Sequence, residues 1–520
     1  MWLTDHQMNL RVQEQFGNRF VRLPLTHSAT IVHGNALRMD WNDVVPAARL
    51  NYILGNPPFS GAMVMDGQAR ESFGEVFADL KGSGVLDFVA AWYWLAAKYI
   101  QGTKAEVGFV STNSICQGEQ VGLLWRPMLE RHGIRINFAH RTFKWSNEAR
   151  GKAAVHCVII GFSLSDAQNK TICDYETPDS DPHALSATNI NPYLIDAPNV
   201  LLENRSDPIC PVPGMRFGSM PRDGGNLLLS EDERSDLLHS EPAAAPYILP
   251  FIGAEGFING EKRWCVWFAG NDPSVLRGLP RLRARVEATR SFRLASKAAS
   301  TRAFAKTPYL FCQIAQPEDG YILVPRHSSE NRALIPMGFF DADCIAADSC
   351  NTIPGATVFH LGLLQSTMHM AWVRYTCGRL ESRYRYSKDI VYNNFPWPEI
   401  AGPSTPAAGA AYAQGERSRG AIEAAAQAVL DARAQFPDST LADLYDPLTM
   451  PPPLVKAHQQ LDKAVDAAYV AAEKAAGRKA PKLGSDAERV AFLFERYQAL
   501  TSLLPAAKAT RRPRKAQGVA

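Results

Sequence analysis

The chain has 520 residues, 46% of them hydrophobic and 10% aromatic, enough for roughly three domains that each bury a core. Its 55 basic and 52 acidic residues leave a formal charge of +3, which excludes a uniformly cationic sheath and confines any polyanion contact to a local basic face. The nine cysteines contain no Cys-x-x-Cys pair and no Cys/His cluster at zinc spacing, so no structural metal is indicated and reduced intracellular thiols are expected.

The opening stretch, "MWLTDHQMNLRVQ", lacks the basic and apolar regions of a signal peptide. The most apolar helical stretch, "LDFVAAWYWLAAKYI", is too short for a bilayer and contains Asp87 and Lys98, so a cytoplasmic protein with no membrane contact is expected. Over residues 1–165, "ATIVHGNAL" and "RLNYILGNPPF" read as strands, 86–101 as a helix, "AEVGFVST" as a strand and 117–132 as a helix. "IRINFAHRTF" and "AAVHCVIIGFS" then follow as an antiparallel pair expected to close one sheet edge. This alternation predicts an α/β domain with a mostly parallel sheet. Over 166–400 short β-like runs are broken by Pro, Gly, Asn and Asp, with few helical periods apart from the Arg-rich 276–299, which predicts a mostly β domain. An Ala/Pro/Gly-rich linker at 401–418 precedes a helical region at 419–505 and a basic tail at 506–520 expected to be disordered.

The second predicted strand runs into Asn56-Pro57-Pro58-Phe59. Adjacent prolines donate no backbone hydrogen bond and fix φ, so the segment leaves the sheet as a stiff, open loop. Such a loop suits one chemical problem. An exocyclic amino nitrogen on a base is a poor nucleophile because its lone pair is delocalised into the ring, and an enzyme alkylating it must hold both amino hydrogens with acceptors rather than with a metal. The Asn56 side-chain oxygen and the Pro57 carbonyl offer two acceptors, a proline ring fixes the direction of the second, and Phe59 offers a face for the base. A sulfonium methyl then needs only positioning, and the base must leave the duplex to arrive there. The competing reading is a proline-rich turn after a strand. The place of the motif at the C-terminal end of a parallel strand, where open α/β sheets put their ligands, favours the chemical one. One predicted strand earlier, Gly34 permits a tight turn, and Asn35 is placed to hydrogen-bond an adenine edge beside Ala36 and Leu37, so that two strand ends face one crevice.

Together with Asp40-Trp41, "GFVSTNSICQGEQ", "INFAHRTFKWSNEARGKAAVHCVIIGF", "YNNFPWPEI" and "LADLYDPLTMPPPLVKAHQQLDKAVDAAY", these motifs resemble the MmeI-like class I DNA methyltransferases, from Met1 to about Ser502. The resemblance implies a partial class I (Rossmann-like) methyltransferase sheet, a mostly β target-recognition domain and a helical C-terminal region. It also implies transfer of methyl from S-adenosylmethionine (SAM) to adenine N6 in double-stranded DNA. Asn56, Pro57 and Phe59 match the family's catalytic loop, and Asn35 the position that contacts the cofactor's adenine. The family's upstream glycine-rich SAM loop and ribose-binding acid are not found, so the chain is expected to lack its first segments and to have a separately encoded N-terminal fragment as a partner. No Glu has Lys two positions on, and no nuclease is expected. Two other readings stand beside this one. The first is a DNA-binding remnant that cannot hold SAM. The second is a protein glutamine methyltransferase, whose substrate amide poses the same two-hydrogen problem; the extent of the β-rich region weighs against it.

Candidate DNA contacts interleave basic and aromatic residues: Arg379, Arg383, Arg385 and Lys388 with Tyr384 and Tyr386. An edge strand with one basic and one aromatic face is the alternative. The arginines of "PRLRARVEATRSFRLASK" read as a solvated face by default and as a backbone-tracking face if they line a DNA cleft; Phe143, Lys144 and Trp145 are candidates for the flipped base or its vacated space, with a cap on the sheet as the alternative.

Overall fold

The computed structural model describes residues 2–17, 29–145, 155–380, 382–400 and 409–502. Helix α1 spans Trp2–Phe16. Strand β1 (Tyr52–Gly55) is followed by helices α2 (Gly67–Val76) and α3 (Ala90–Tyr99), strand β2 (Glu106–Thr112) and helix α4 (Glu119–Glu130). Strands β3 (Arg135–Trp145), β4 (Val155–Ser163), β5 (Lys170–Asp174) and β6 (His183–Ala187) complete a six-stranded sheet in the order β1-β2-β4-β3-β5-β6. The β1–β2 and β3–β5 pairs are parallel and the others antiparallel.

Four expectations are corrected here. The sheet is not mostly parallel, since three of its five strand pairs are antiparallel. The β3/β4 pair lies in the sheet interior, because β5 adds to the free side of β3; the edges are β1 and β6, and the sheet runs past residue 165 to Ala187. "ATIVHGNAL" is not a strand: residues 29–33 have no ladder partner, and a turn closes behind them where Arg38 N–H donates to Asn35 O at 2.9 Å. The helices at 86–101 and 117–132 are shorter than expected, α3 and α4 covering their centres.

One face of the sheet is packed. Val107, Phe109 and Ser111 of β2 point into helices α2–α4, where Tyr93 donates to Phe109 O at 3.2 Å and stacks on Phe162 at 5.6 Å. The other face carries the alternate residues, and among the described residues it has no covering helix: Leu54 is 79% exposed, Tyr52 64% and Phe138 39%. Gly108 and Gly161 stand opposite each other in the middle of this face, flanked by Leu54 and Phe138 in register. Sheets with parallel pairs are ordinarily covered on both faces, so this one presents an apolar surface that lacks a layer.

Residues beyond Ala187 build two four-stranded sheets and one three-stranded sheet. They hold more helix than expected. Helix α5 (Glu231–Ser240) starts on a Ser230/Glu233 capping box, α6 (Pro280–Leu294) is the Arg-rich segment, and α7 (Val358–Leu364) and α8 (Thr367–Thr376) are buried on nearly every side. An all-round buried helix has no polar face, so its sequence shows no amphipathic period.

Of the α6 arginines, Arg281, Arg283 and Arg290 are exposed, whereas Arg285 and Arg293 turn inward. Arg293 is fully buried and donates to the carbonyls of Pro221, Arg222, Phe304, Thr307 and Leu310 at 2.7–3.1 Å, and Arg285 donates to Asn226 O and Leu228 O beside Glu233.

Helix α9 begins at Gly409, inside the expected linker, and runs to Ala434; α10 (Pro452–Ala475) and α11 (Asp486–Thr501) complete the C-terminal layer. The expected tail at 506–520 and the first linker residues, 401–408, lie outside the described residues. The C-terminal layer grips the middle region through buried polar contacts. Asp462 of α10 accepts from Thr367 N at 2.7 Å at the start of α8, Asp486 of α11 pairs with Arg374, and Arg433 of α9 donates to Met337 O and Gln365 Oε1, both at 2.7 Å. No helix among the described residues is long and apolar enough to cross a membrane.

Three histidines within this packing are held neutral. Burial pushes His360 down to about 4, with Arg419 adding to it, and His369 to about 3; burial and then Arg433 bring His458 to about 3. The unfolded chain binds protons at these sites below about pH 6.5, and the folded chain does not until far lower pH. Their contribution is therefore level above that value and is lost as pH falls toward about 4. The midpoint of thermal unfolding is expected to drop between about pH 7 and pH 5, and replacing His369 by Phe should flatten that slope.

Candidate active site and DNA-facing surface

Strand β1 is stopped by its own sequence. Pro57 and Pro58 cannot extend the ladder, and the chain leaves the sheet at its C-terminal end. Pro57 is buried, Phe59 half-buried against the core, and Asn56 and Pro58 exposed. Among the described residues no side chain or backbone group occupies the Asn56 amide or the Pro57 carbonyl. The loop is held from behind: Phe88 N–H donates to Ser60 O at 2.8 Å. Next to it, buried Asp87 donates its N–H to Gln120 Oε1 (3.0 Å) and accepts from Gln120 Nε2 (3.2 Å) and Thr112 Oγ1 (3.0 Å). The sequence gives no sign of this network: Thr112 and Gln120 stand in the family-like "GFVSTNSICQGEQ" without a partner named, and Asp87 comes from a separate segment. The result is two unoccupied acceptors at the end of a parallel strand, on a loop whose backbone is fixed.

The Gly34–Leu37 turn is more self-satisfied than its sequence suggests. Asn35 Nδ2 donates to Ser72 Oγ at 3.1 Å while its oxygen accepts from Leu37 N–H at 3.0 Å, so both ends of the amide are engaged. Met39 Sδ fills the place of a Cβ on Gly34 at 2.6 Å, Ala36 O accepts from Trp41 Nε1 at 2.9 Å, and Leu37 is buried. Beside the turn and along β1 lies a largely apolar groove of about 530 Å³, lined by Ile31, Val32, Gly34, Trp41, Tyr52 and Leu54. Described residues thus offer one wall for a nucleoside. They supply no glycine turn and no acid to grip a ribose, and as they stand they do not fit SAM.

Of the eight expected DNA contacts, strand geometry selects two. Arg383 and Arg385 alternate with Tyr384 on one strand and are exposed, whereas Tyr384 and Tyr386 are buried, the latter sharing a hydrogen bond of 2.9 Å with His369 Nε2. Period-two alternation sends the aromatic rings into the core and the guanidinium groups outward, so the two tyrosines are packing residues. Arg379 lies 3.8 Å from the Tyr384 ring centroid and donates to Ser382 O at 3.0 Å, and Lys388 pairs with Asp389. Lys144 is exposed and paired with Asp179 at 3.1 Å; the Trp145 side chain lies outside the described residues. A polar cavity of about 780 Å³ opens between the first sheet and this region, lined among others by Asn113, Lys144, His156, Glu330, Arg379 and Asp486. Its walls come from segments hundreds of residues apart, and no local signal marks it. Among the described residues no group of three or more His, Cys, Asp or Glu side chains could hold a metal ion.

Fold and loop together define a methyltransferase-type α/β domain, followed by a recognition region and a helical layer. The order is that of three family models: the MmeI DNA-methyltransferase domain at residues 1–174, the MmeI target recognition domain at 196–399 and the MmeI C-terminal domain at 414–505. The chain belongs to the MmeI family. It is 37% identical over 506 residues to DNA methyltransferase A of Bacillus subtilis (strain 168), covering 96% of this chain and 54% of that protein. It is 48% identical to the Type IIL restriction-modification enzyme MmeI solved in complex with DNA, with a TM-score of 0.82 over 96% of this chain and 64% of that one. The chain thus spans about half the length of the curated relative and under two-thirds of the solved structure.

Proposed function

We propose that this chain carries the catalytic loop and the sequence-reading region of a site-specific DNA methyltransferase that modifies adenine N6 in duplex DNA. The observation that carries the reading is the pair of unoccupied acceptors, Asn56 Oδ1 and Pro57 O, at the C-terminal end of β1. In that reading the target adenine swings out of the duplex and lies against Phe59. Its two N6 hydrogens point to the two acceptors, which withdraws the nitrogen lone pair from the ring and frees it for attack. The Ser60–Phe88 hydrogen bond and the Asp87 network keep the loop from yielding as the base enters. SAM, when bound, supplies the electrophilic methyl.

The cofactor side of the reading needs more than the described residues provide. We infer that a further polypeptide segment, continuous with the chain or separate, adds a parallel strand to the free edge of β1 and a helical layer over Leu54, Gly108, Gly161 and Phe138. The Phe138 ring lies over Gly161 and Leu54 over Gly108, so such a layer would meet a continuous apolar surface. Titration calorimetry should show weak or undetectable SAM binding by the 520-residue chain and clear binding once the matching family segment is added. Micromolar binding by the chain alone would refute this part.

Arg383 and Arg385 are the proposed DNA contacts. Replacing either with Ala should weaken binding and lower the salt dependence by about one phosphate's worth, read from affinity against salt concentration. Exchange of residues 200–395 for the matching segment of a relative should change which sequence is methylated and leave the chemistry intact, as mapped by sequencing that detects modified bases. An unchanged target sequence would place recognition elsewhere.

A further inference from the structure

We infer that Gly118 and Gly378 form the joint that fixes the catalytic loop relative to the hairpin carrying Arg383 and Arg385, which makes them positioning residues for methyl transfer; the inference rests on the reading above. The two segments meet backbone to backbone. Gly118 N–H donates to Thr376 O at 3.0 Å, and a Cβ built on Gly118 would lie 3.1 Å from Gly378 Cα. Gly118 sits at φ 61°, ψ −148°, a conformation essentially reserved for glycine. No side chain therefore cushions the contact, and neither partner can shift without moving the other.

The contacts continue from the joint in both directions. On the catalytic side, Gln120 is two residues from Gly118 and holds Asp87 through two hydrogen bonds, and the neighbouring Phe88 N–H holds Ser60 of the catalytic loop. On the other side, Gly378 stands directly opposite Arg385 in the antiparallel ladder, with Leu380 opposite Arg383. The joint is thus the midpoint of an unbroken run of short contacts from the Asn56 loop to the outward-facing arginines. A second contact braces it, the Arg141 guanidinium lying 5.5 Å from the Tyr375 ring centroid. DNA is held on one side of this run and chemistry performed on the other, so its length sets whether the flipped base arrives within reach of the acceptors.

The test compares Gly378→Val with Gly378→Ala in the full chain, supplied with the matching N-terminal family segment. A Cβ on Gly378 has 3.9 Å to Gly118 Cα and fits, whereas Val adds two γ-methyls beside the Gly118 backbone and is expected to push the two segments apart. Gly378→Val should keep the same methylated sequence, DNA affinity within about twofold and its unfolding temperature, while kcat falls about a hundredfold, the cost of a misplacement near 1 Å. Gly378→Ala should restore turnover. Gln120→Met, which removes the hold on Asp87 without changing bulk, should show the same kcat-only signature at about tenfold. Unaltered kcat in Gly378→Val would overturn the inference. So would a parallel loss of affinity, turnover and unfolding temperature in Gly378→Val and Gln120→Met, the mark of ordinary structural damage. If the unmodified pair methylates no DNA, the functional reading itself fails and takes this inference with it.

Discussion

Asn56→Ala is expected to abolish methyl transfer while leaving DNA affinity within about twofold, because the lost contact is made in the transition state and the phosphate contacts are kept. Asn56 is exposed and makes no described contact inside the protein, so its truncation disturbs no packing. The loop conformation is set by Pro57, Pro58 and the Ser60–Phe88 hydrogen bond, which the substitution does not touch. Loss of one fixed polar group at a reacting centre costs roughly a hundredfold to a thousandfold, and here one of only two acceptors goes. Tritiated-methyl incorporation beside a binding titration decides the matter, and retained transfer would remove the mechanism. Phe59→Ala should cost about 1–3 kcal/mol of base stacking, and because Phe59 also packs against the core its loss will lower stability as well.

Glu473→Ala should be the most destabilising single change at the C-terminal layer, by about 3–5 kcal/mol. The side chains of Arg496 and Glu473 are only 5% and 6% exposed and pair directly; Arg478 adds a second guanidinium at 2.6 Å. Without Glu473, Arg496 is left buried with only the Trp397 carbonyl and an outlying contact to Glu399, both at 3.3 Å. Burial pushes the Glu473 carboxyl up, but the hydrogen bond from Arg478 and the charge of Arg496 outweigh it and hold the group below the ordinary carboxylate range. The sign follows from that direction. A lowered folded pKa gives stability that is complete above the unfolded value, about 4.3, and is lost as pH falls through the folded value. Urea titrations should therefore show a wide gap between the two proteins near neutral pH that narrows in acid. A gap independent of pH would mean that packing, not the ion pair, carries the effect.

What could be read in advance divides by range. The exit of β1 into Asn56–Phe59 was legible because its cause is local: prolines stop a strand wherever they occur. Strands β2–β4 were legible from β-rich runs, yet their order was not, since the addition of β5 beside β3 depends on a pairing that no periodicity encodes. The contacts of Asn35 were not legible, because an Asn after Gly reads equally as a free hydrogen-bonding group and as a turn that satisfies itself, and its partner Ser72 lies more than thirty residues on. The tyrosines at 384 and 386 were visible as an alternation, and which way it faced was not, since the buried partner of Tyr386, His369, lies on another element. Helices α7 and α8 hid because a segment buried all round carries no stripe. Gly118 and Gln120 lay inside the family-like "GFVSTNSICQGEQ", but nothing local told what they touch, and the place of Asp87 beside them depended on the fold.

The grip of the C-terminal layer has a practical meaning for anyone who would re-tool the protein. Gln365, Thr367 and Arg374 lie within residues 200–395, yet their partners, Arg433, Asp462 and Asp486, lie beyond them. A transplanted segment thus arrives with half of each fastening and must find the other half in its host. Donors carrying the same three side chains should give soluble chimaeras, and donors without them should need helices α9–α11 moved in the same cassette. The unit of exchange is then set by where these fastenings close, and it is longer than the stretch that faces the DNA.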